Sequence, residues 1–271
     1  MRMTHAGASL AGALLMLAAP LASAHSPFTA TTDDQLPAWL SAALLLGLWA
    51  CYLYGCARVR PGIAAVLLFH LGMALAGLAV LGPLDEWAET STSAHMTQHM
   101  LFMVIIPPLF VLSRPLPQLS AGGARRLSVV WDPLLRLTQR PMLLAYLHGF
   151  IVWFWHMPKF YMLAVEHPWW HAVEHLLFIL SAGLFWWAVL RGARSVAPWA
   201  LLALLFTLMH TGFLGALLTF AREPLYGEAR SLEDQQLAGL IMWVLGAVPY
   251  LAAAGWLGWR WLSMMQRKLG W

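Results

Sequence analysis

Two pairs of histidines have the type and spacing to do chemistry. His95 and His99 in SAHMTQHM, and His171 and His175 in HAVEH, each stand four residues apart. On a helix that spacing puts both imidazoles of a pair on one face, one turn apart. This is a common geometry for two ligands of a single metal ion. His156, in WFWHMPKF, is a fifth candidate. Imidazole accepts copper in either oxidation state and also suits zinc. Neutral imidazole is the binding form, so affinity should fall as the pH drops through about 6.5, the ordinary histidine pKa. Glu174 lies inside the second pair, where it could orient an imidazole or balance charge. Met96, Met100 and Met103 form a stripe offset by about 100° from the His95/His99 face. Thioethers are soft and favour Cu(I), so Met96 and Met100 are further candidates, with copper the first choice of metal and zinc the second. Cys51 and Cys56 sit five residues apart, on different faces of one expected helix. We expect both to be small packing residues, with any metal held without thiolates.

Other histidines read differently. His70, His148 and His210 fall in the middle of apolar stretches. A lone intramembrane histidine is usually a polar packing group bonded to a neighbouring helix, and His70 and His148 are expected to be that. His210 could belong to either class. HAVEH also fits the H-x-x-E-H pattern of a zinc protease class, but the chain has no soluble catalytic domain to go with it. Histidines at one depth on several helices could instead hold haem, and without a CxxCH motif only haem b would be possible.

The elements that must position these groups are membrane helices. The chain has 271 residues, 61% hydrophobic and 10% charged, against roughly 25% charged in a soluble domain. The apolar runs are continuous rather than alternating, which excludes a β-barrel. The net charge of +4 is not gathered into a basic patch with interleaved aromatics, so no nucleic-acid partner is expected.

Residues 1–24 have the features of a signal peptide: Arg2, a short apolar core, and Ala22-Ser23-Ala24 as a cleavage signature. Cleavage there would make His25 the amino terminus, whose amine and imidazole together chelate Cu(II). Residues 25–271 then form a single all-α membrane domain of seven helices. The expected spans are Leu36–Ala57, Gly62–Leu81, Ala94–Ser113, Pro141–Met157, His171–Leu190, Pro198–Phe220 and Leu237–Trp259. Arginines crowd the loops after the first, third, fifth and seventh spans, and acids crowd the alternate loops. By the positive-inside rule the amino terminus faces out and the carboxyl terminus faces the cytoplasm. This topology puts His95, His99, His156, His171 and His175 within about two turns of the outer surface. Pro107-Pro108 should break or kink the third span. The stretch from Arg114 to Arg140 is long enough for a short interfacial helix.

The segments SAHMTQHMLFMVIIPPLFVLSRPLP, WHMPKFY, HPWWHAVEHLLFILSAGLFWWAVL, LGALLTFAREPLYGE and DQQLAGLIMWVLG occur in order between Gly82 and Gly246. Together they resemble the CtaG-type, multi-span cytochrome c oxidase assembly factors. The resemblance implies a polytopic protein of the bacterial inner membrane that is needed to make active haem–copper oxidase, with delivery of copper the usual proposal. It carries over His95, His99, His156, His171 and His175. It also adds Asp234, Gln235 and Gln236 as a second polar motif, where Asp234 could cap its own helix. It implies oxidase subunits or other assembly proteins as partners, and a role that is not enzymatic. Two alternatives come from other classes. One is a copper transporter, with His70, His148 and His210 continuing a path across the bilayer. The other is a b-type haem protein.

Overall fold

The computed structural model describes residues 35–227 and 230–269. The expected signal peptide and His25 lie outside these residues. Every regular element among the described residues is helical. We label α1 Gln35–Cys56, α2 Ile63–Leu81, α3 Pro83–Thr90, and α4 Thr92–Met100 with its continuation Ile106–Ser113. Next come α5 Leu116–Ala121, α6 Ser128–Leu137, α7 Pro141–His156, α8 Pro158–Glu166, α9 Pro168–Arg191 and α10 Ala197–Thr219. Last is α11, Leu232–Leu240 with its continuation Ala247–Leu269.

Six of these helices are long and apolar enough to cross a membrane: α1, α2, α4, α9, α10 and α11. Their ends fall within a few residues of the expected spans, except that α11 begins five residues earlier and runs further. The stretch expected as the fourth span is α7, a helix of 16 residues. At 1.5 Å per residue it is about 24 Å long, shorter than the roughly 30 Å hydrocarbon core.

The most apolar helix is not the most buried one. The apolar window of α2 has a mean hydropathy of 2.3 and is 28% buried, whereas that of α4 has 1.6 and is 61% buried. Lipid tails are as apolar as leucine, so the outer faces of a bundle carry the greasiest sequence and the polar groups turn inward. The two histidine-pair helices, α4 and α9, pack on each other at the centre, with α2 against α4 and α7 against α9. α10 joins α7 to α11, and α11 returns to touch α4. α1 lies outermost, on α2 and α5. Where α10 meets α11, a side chain on Gly215 would come within 2.8 Å of the Gly239 carbonyl oxygen, so glycine at both positions lets the two backbones touch.

Pro107 and Pro108 do not break α4. The helix widens into a π turn at Leu101–Ile105 and continues with the prolines in the next turn. Pro107 has no N–H for the carbonyl of Met103, four residues earlier. The indole Nε1 of Trp186 on α9 donates to that oxygen instead, at 2.8 Å. The lost helix bond is thereby replaced by one between the two central helices. α11 has the same form as α4: a serine N-cap, nine α-helical residues, then a five-residue π turn at Ile241–Leu245. Between the spans, the stretch after Arg114 forms α5, a 3-10 turn and α6, and no residue of α6 is buried. Cys51 and Cys56 are both free thiols.

Candidate metal centre

The first turns of α4 carry His95 and His99 into the bundle, and α9 brings Glu174, His171 and His175 to meet them. His95 is 1% exposed, and His99 and Glu174 are wholly buried. The Glu174 carboxylate lies between the first pair: His95 Nε2 is 3.4 Å from Oε2, and His99 Nε2 is 3.5 Å from Oε1. Neither approach has hydrogen-bond geometry. Both carboxylate oxygens and all four ring nitrogens of His95 and His99 are buried without a hydrogen-bond partner in the protein. His175 completes the group, so that one donor atom from each of His95, His99, Glu174 and His175 lies within 4.8 Å of the others. Four donors at about 2 Å from one tetrahedral ion lie about 3.3 Å apart, so modest side-chain rotation would close this set on a cation.

The other two expected histidines stand on either side. The His171 ring is 4.1 Å from that of His175 and 5.1 Å from that of His95. His156, at the end of α7, is 5.5 Å from His99 between ring centroids. His156 Nδ1 donates to the Val152 carbonyl at 2.7 Å. A carbonyl can only accept, so the proton sits on Nδ1, and the Nε2 lone pair is left buried without a partner.

The mid-span histidines belong elsewhere. His148 Nδ1 is hydrogen-bonded to Ser181 Oγ at 2.9 Å, and the ring stacks on Phe185. His70 Nδ1 donates to the Val66 carbonyl of its own helix, among the rings of Trp49, Tyr52 and Phe69. His210 packs on the backbone of α7 at Gly149, where an added side chain would come within 2.9 Å of its Nε2. Met96 and Met100 are core residues, and Met100 Sδ lies against Gly246 of α11.

Asp234 does not cap its own helix. Ser231 does that, accepting the Asp234 N–H at 3.0 Å. The Asp234 carboxylate caps α4 instead, accepting the backbone N–H of Thr92 at 2.5 Å and of Ser93 at 3.3 Å, together with the hydroxyls of Ser91 and Ser93. A carboxylate at a helix amino end is favoured by the dipole as well as by these bonds. Gln235 Oε1 accepts from Leu225 N at 2.6 Å, and Gln236 Nε2 donates to the Ala221 carbonyl at 3.1 Å. The motif thus holds the loop before α11 in place and anchors the start of α4, one turn from His95.

Several residues around the site were not singled out by spacing. Asp85, on α3, lies with His171 and His175 in a second group whose donor atoms are within 4.8 Å of one another. Gln98, buried between the histidines of its own helix, donates to Asp85 Oδ1 at 2.6 Å and to the Ala79 carbonyl at 2.7 Å. The buried guanidinium of Arg230 donates to the Glu89 carbonyl at 2.6 Å and to Thr92 Oγ1 at 3.2 Å. Tyr161 covers the His95 ring and stacks on Tyr226, whose hydroxyl donates to the His156 carbonyl at 3.2 Å. Burial pushes both phenols well above the ordinary phenol range, so both stay neutral. Arg230 had a signal in the sequence, as one of few cations on the acidic side of the chain. Asp85 had none, being one of many acids there.

A model of the family described as cytochrome c oxidase caa3 assembly factor (Caa3_CtaG) matches residues 50–264. That span contains every residue of the centre and extends beyond both ends of the stretch Gly82–Gly246. No curated protein and no solved structure matches the chain.

Proposed function

The chain belongs to the cytochrome c oxidase caa3 assembly factor family, and from that premise we propose that its buried histidine–glutamate cluster binds copper and assists its insertion into the oxidase. One observation carries the reading. Glu174 and the rings of His95 and His99 are buried with no hydrogen-bond partner. A buried carboxylate held only by two loose imidazole approaches, and two imidazoles without hydrogen bonds, are costly inside a bundle, a cost that a bound cation offsets. Three imidazoles and one carboxylate suit copper and also zinc, with His156 beside them as a further ligand or an orienting group. Copper is preferred because the oxidase made with this family's help is a haem–copper enzyme. Haem is disfavoured because four ligand-type atoms, one of them a carboxylate's, converge within 4.8 Å of one another, a set that suits a single ion. Transport is disfavoured because His148 and His70 belong to neither group of converging donors found among the described residues, each being hydrogen-bonded through Nδ1 to Ser181 or Val66.

Counting α7 as a seventh crossing puts the arginine-rich loops in the cytoplasm and the cluster near the periplasmic face of the inner membrane. There it would meet oxidase subunits or other assembly proteins. The role is transfer of a metal ion rather than catalysis: the site holds its cargo by neutral imidazoles and one carboxylate, close to a surface where the ion can leave.

Metal content per chain tests this in purified protein, with oxidase activity in cells carrying each variant. Wild-type protein should hold copper in simple stoichiometry. His95→Ala with His99→Ala, or His171→Ala with His175→Ala, should abolish it and leave the oxidase short of copper, while the chain still inserts in the membrane. Full copper and full oxidase activity in both double variants would overturn the reading.

A further inference from the structure

The five outer histidines are not one undivided set. Four of them fall into two groups that share His175, with His156 in neither: an inner group of His95, His99, Glu174 and His175, and an outer group of Asp85, His171 and His175. A cavity of about 250 Å³ opens onto the outer group, and it is lined by Asp85, His171, His175 and His95 but not by His99 or Glu174. Two of these lining groups have buried ring nitrogens without a hydrogen-bond partner, His175 at Nε2 and His95 at both positions. The ligand-type atoms thus run in a line from an open cleft to a closed interior.

We propose that Asp85, His171 and His175 form a second cation position at the mouth of the cleft, and that copper taken up there passes inward to His95, His99 and Glu174 with His175 as the ligand common to both positions. This rests on the copper reading above. Asp85 is held for the task by Gln98, which is itself fully buried and anchored on Ala79. The passage is ligand exchange with no change of oxidation state. The ion gives up the Asp85 carboxylate and the His171 imidazole, and gains the Glu174 carboxylate and the imidazoles of His95 and His99. Each position offers one carboxylate, so the ion meets the same formal ligand charge at both. The inner position adds one imidazole, which makes the inward step downhill. Because His175 is shared, the two positions fill in turn, and a chain holds one ion at rest.

The experiment uses the full chain in detergent, with Cu(I) supplied from a coloured chelator and uptake followed in time. Wild type should fill to one ion per chain. Asp85→Asn keeps an oxygen for Gln98 to donate to, and His171→Gln leaves the inner group intact. Both should fill at least about tenfold more slowly and still reach one ion per chain. His99→Ala should take up an ion at the outer position while Cu(I) is supplied, and that ion should be stripped by the chelator faster than from wild type and lost on purification. Filling of both Asp85→Asn and His171→Gln at the wild-type rate overturns the proposal. So does loss of stoichiometric copper in both, which would make all these residues ligands of one site. Failure of the wild-type protein to bind any copper would overturn the copper reading itself, a result distinct from either of these.

Discussion

Asp234 on α11 caps α4 at Thr92, its Oδ2 accepting the Thr92 N–H at 2.5 Å across 142 residues of sequence. Three residues after Thr92 comes His95. The motif that begins with Asp234 is thereby tied to the histidine cluster through the start of one helix. Arg230 acts on the same point from the loop side, through Thr92 Oγ1 and the Glu89 carbonyl.

Replacement of Asp234 should therefore harm the metal site without touching a ligand. Asp234→Ala leaves Ser91 to cap α4 through the Ala94 N–H but removes the acceptor of the Thr92 and Ser93 N–H groups, a loss of about 1 kcal/mol. We expect a lower melting temperature and weaker copper retention. Asp234→Asn, which still accepts hydrogen bonds, should fall between the two. Thermal unfolding in detergent and copper per chain are the measurements. Wild-type values for Asp234→Ala would mean that the cap does not position His95.

Glu174 should trade stability for binding. Its buried carboxylate has no hydrogen-bond partner, so the metal-free protein bears its desolvation. Glu174→Gln should raise the melting temperature of the metal-free protein by a few degrees. The same change should lower copper affinity and shrink the stabilisation that copper adds. Melting curves with and without copper decide it. A metal-free variant that melts below wild type would show that the carboxylate is already well compensated.

His148 and His70 should matter for packing alone. His148→Ala removes a buried bond to Ser181 and leaves a void beside Phe185, at a cost of about 1–3 kcal/mol. Copper stoichiometry should stay at the wild-type level in His148→Ala and His70→Ala. Loss of copper from either folded variant would revive a path through the bilayer.

Trp186→Phe should cost about 1–3 kcal/mol, because it strands the Met103 carbonyl that Pro107 cannot serve. In a Pro107→Ala background the helix regains an N–H for that oxygen, so the same change at Trp186 should cost less. A double-mutant cycle on melting free energies measures the difference. Equal costs in the two backgrounds would mean that the indole bond does not substitute for the missing helix bond.

Local sequence was enough for the helices and for the faces of the histidine pairs. In lipid the backbone must satisfy its own hydrogen bonds, so a long apolar run has one outcome, and its ends can be read to within a few residues except at α11, where the helix starts five residues earlier in polar sequence. The spacing of His95 with His99 and of His171 with His175 set which face of α4 and of α9 carries imidazoles, whatever those faces meet. Local pattern does not contain the meeting itself. It did not show that Glu174 lies between the α4 histidines, that Asp85 joins His171 from a third helix, or that Asp234 spends its carboxylate on α4 and leaves Ser231 to cap α11. Nor could it show α4 passing its prolines unbroken, since Trp186 repairs the chain from 83 residues away. Each of these is a choice of partner between distant segments, decided by which helix faces pack together, and only the tertiary structure makes that choice.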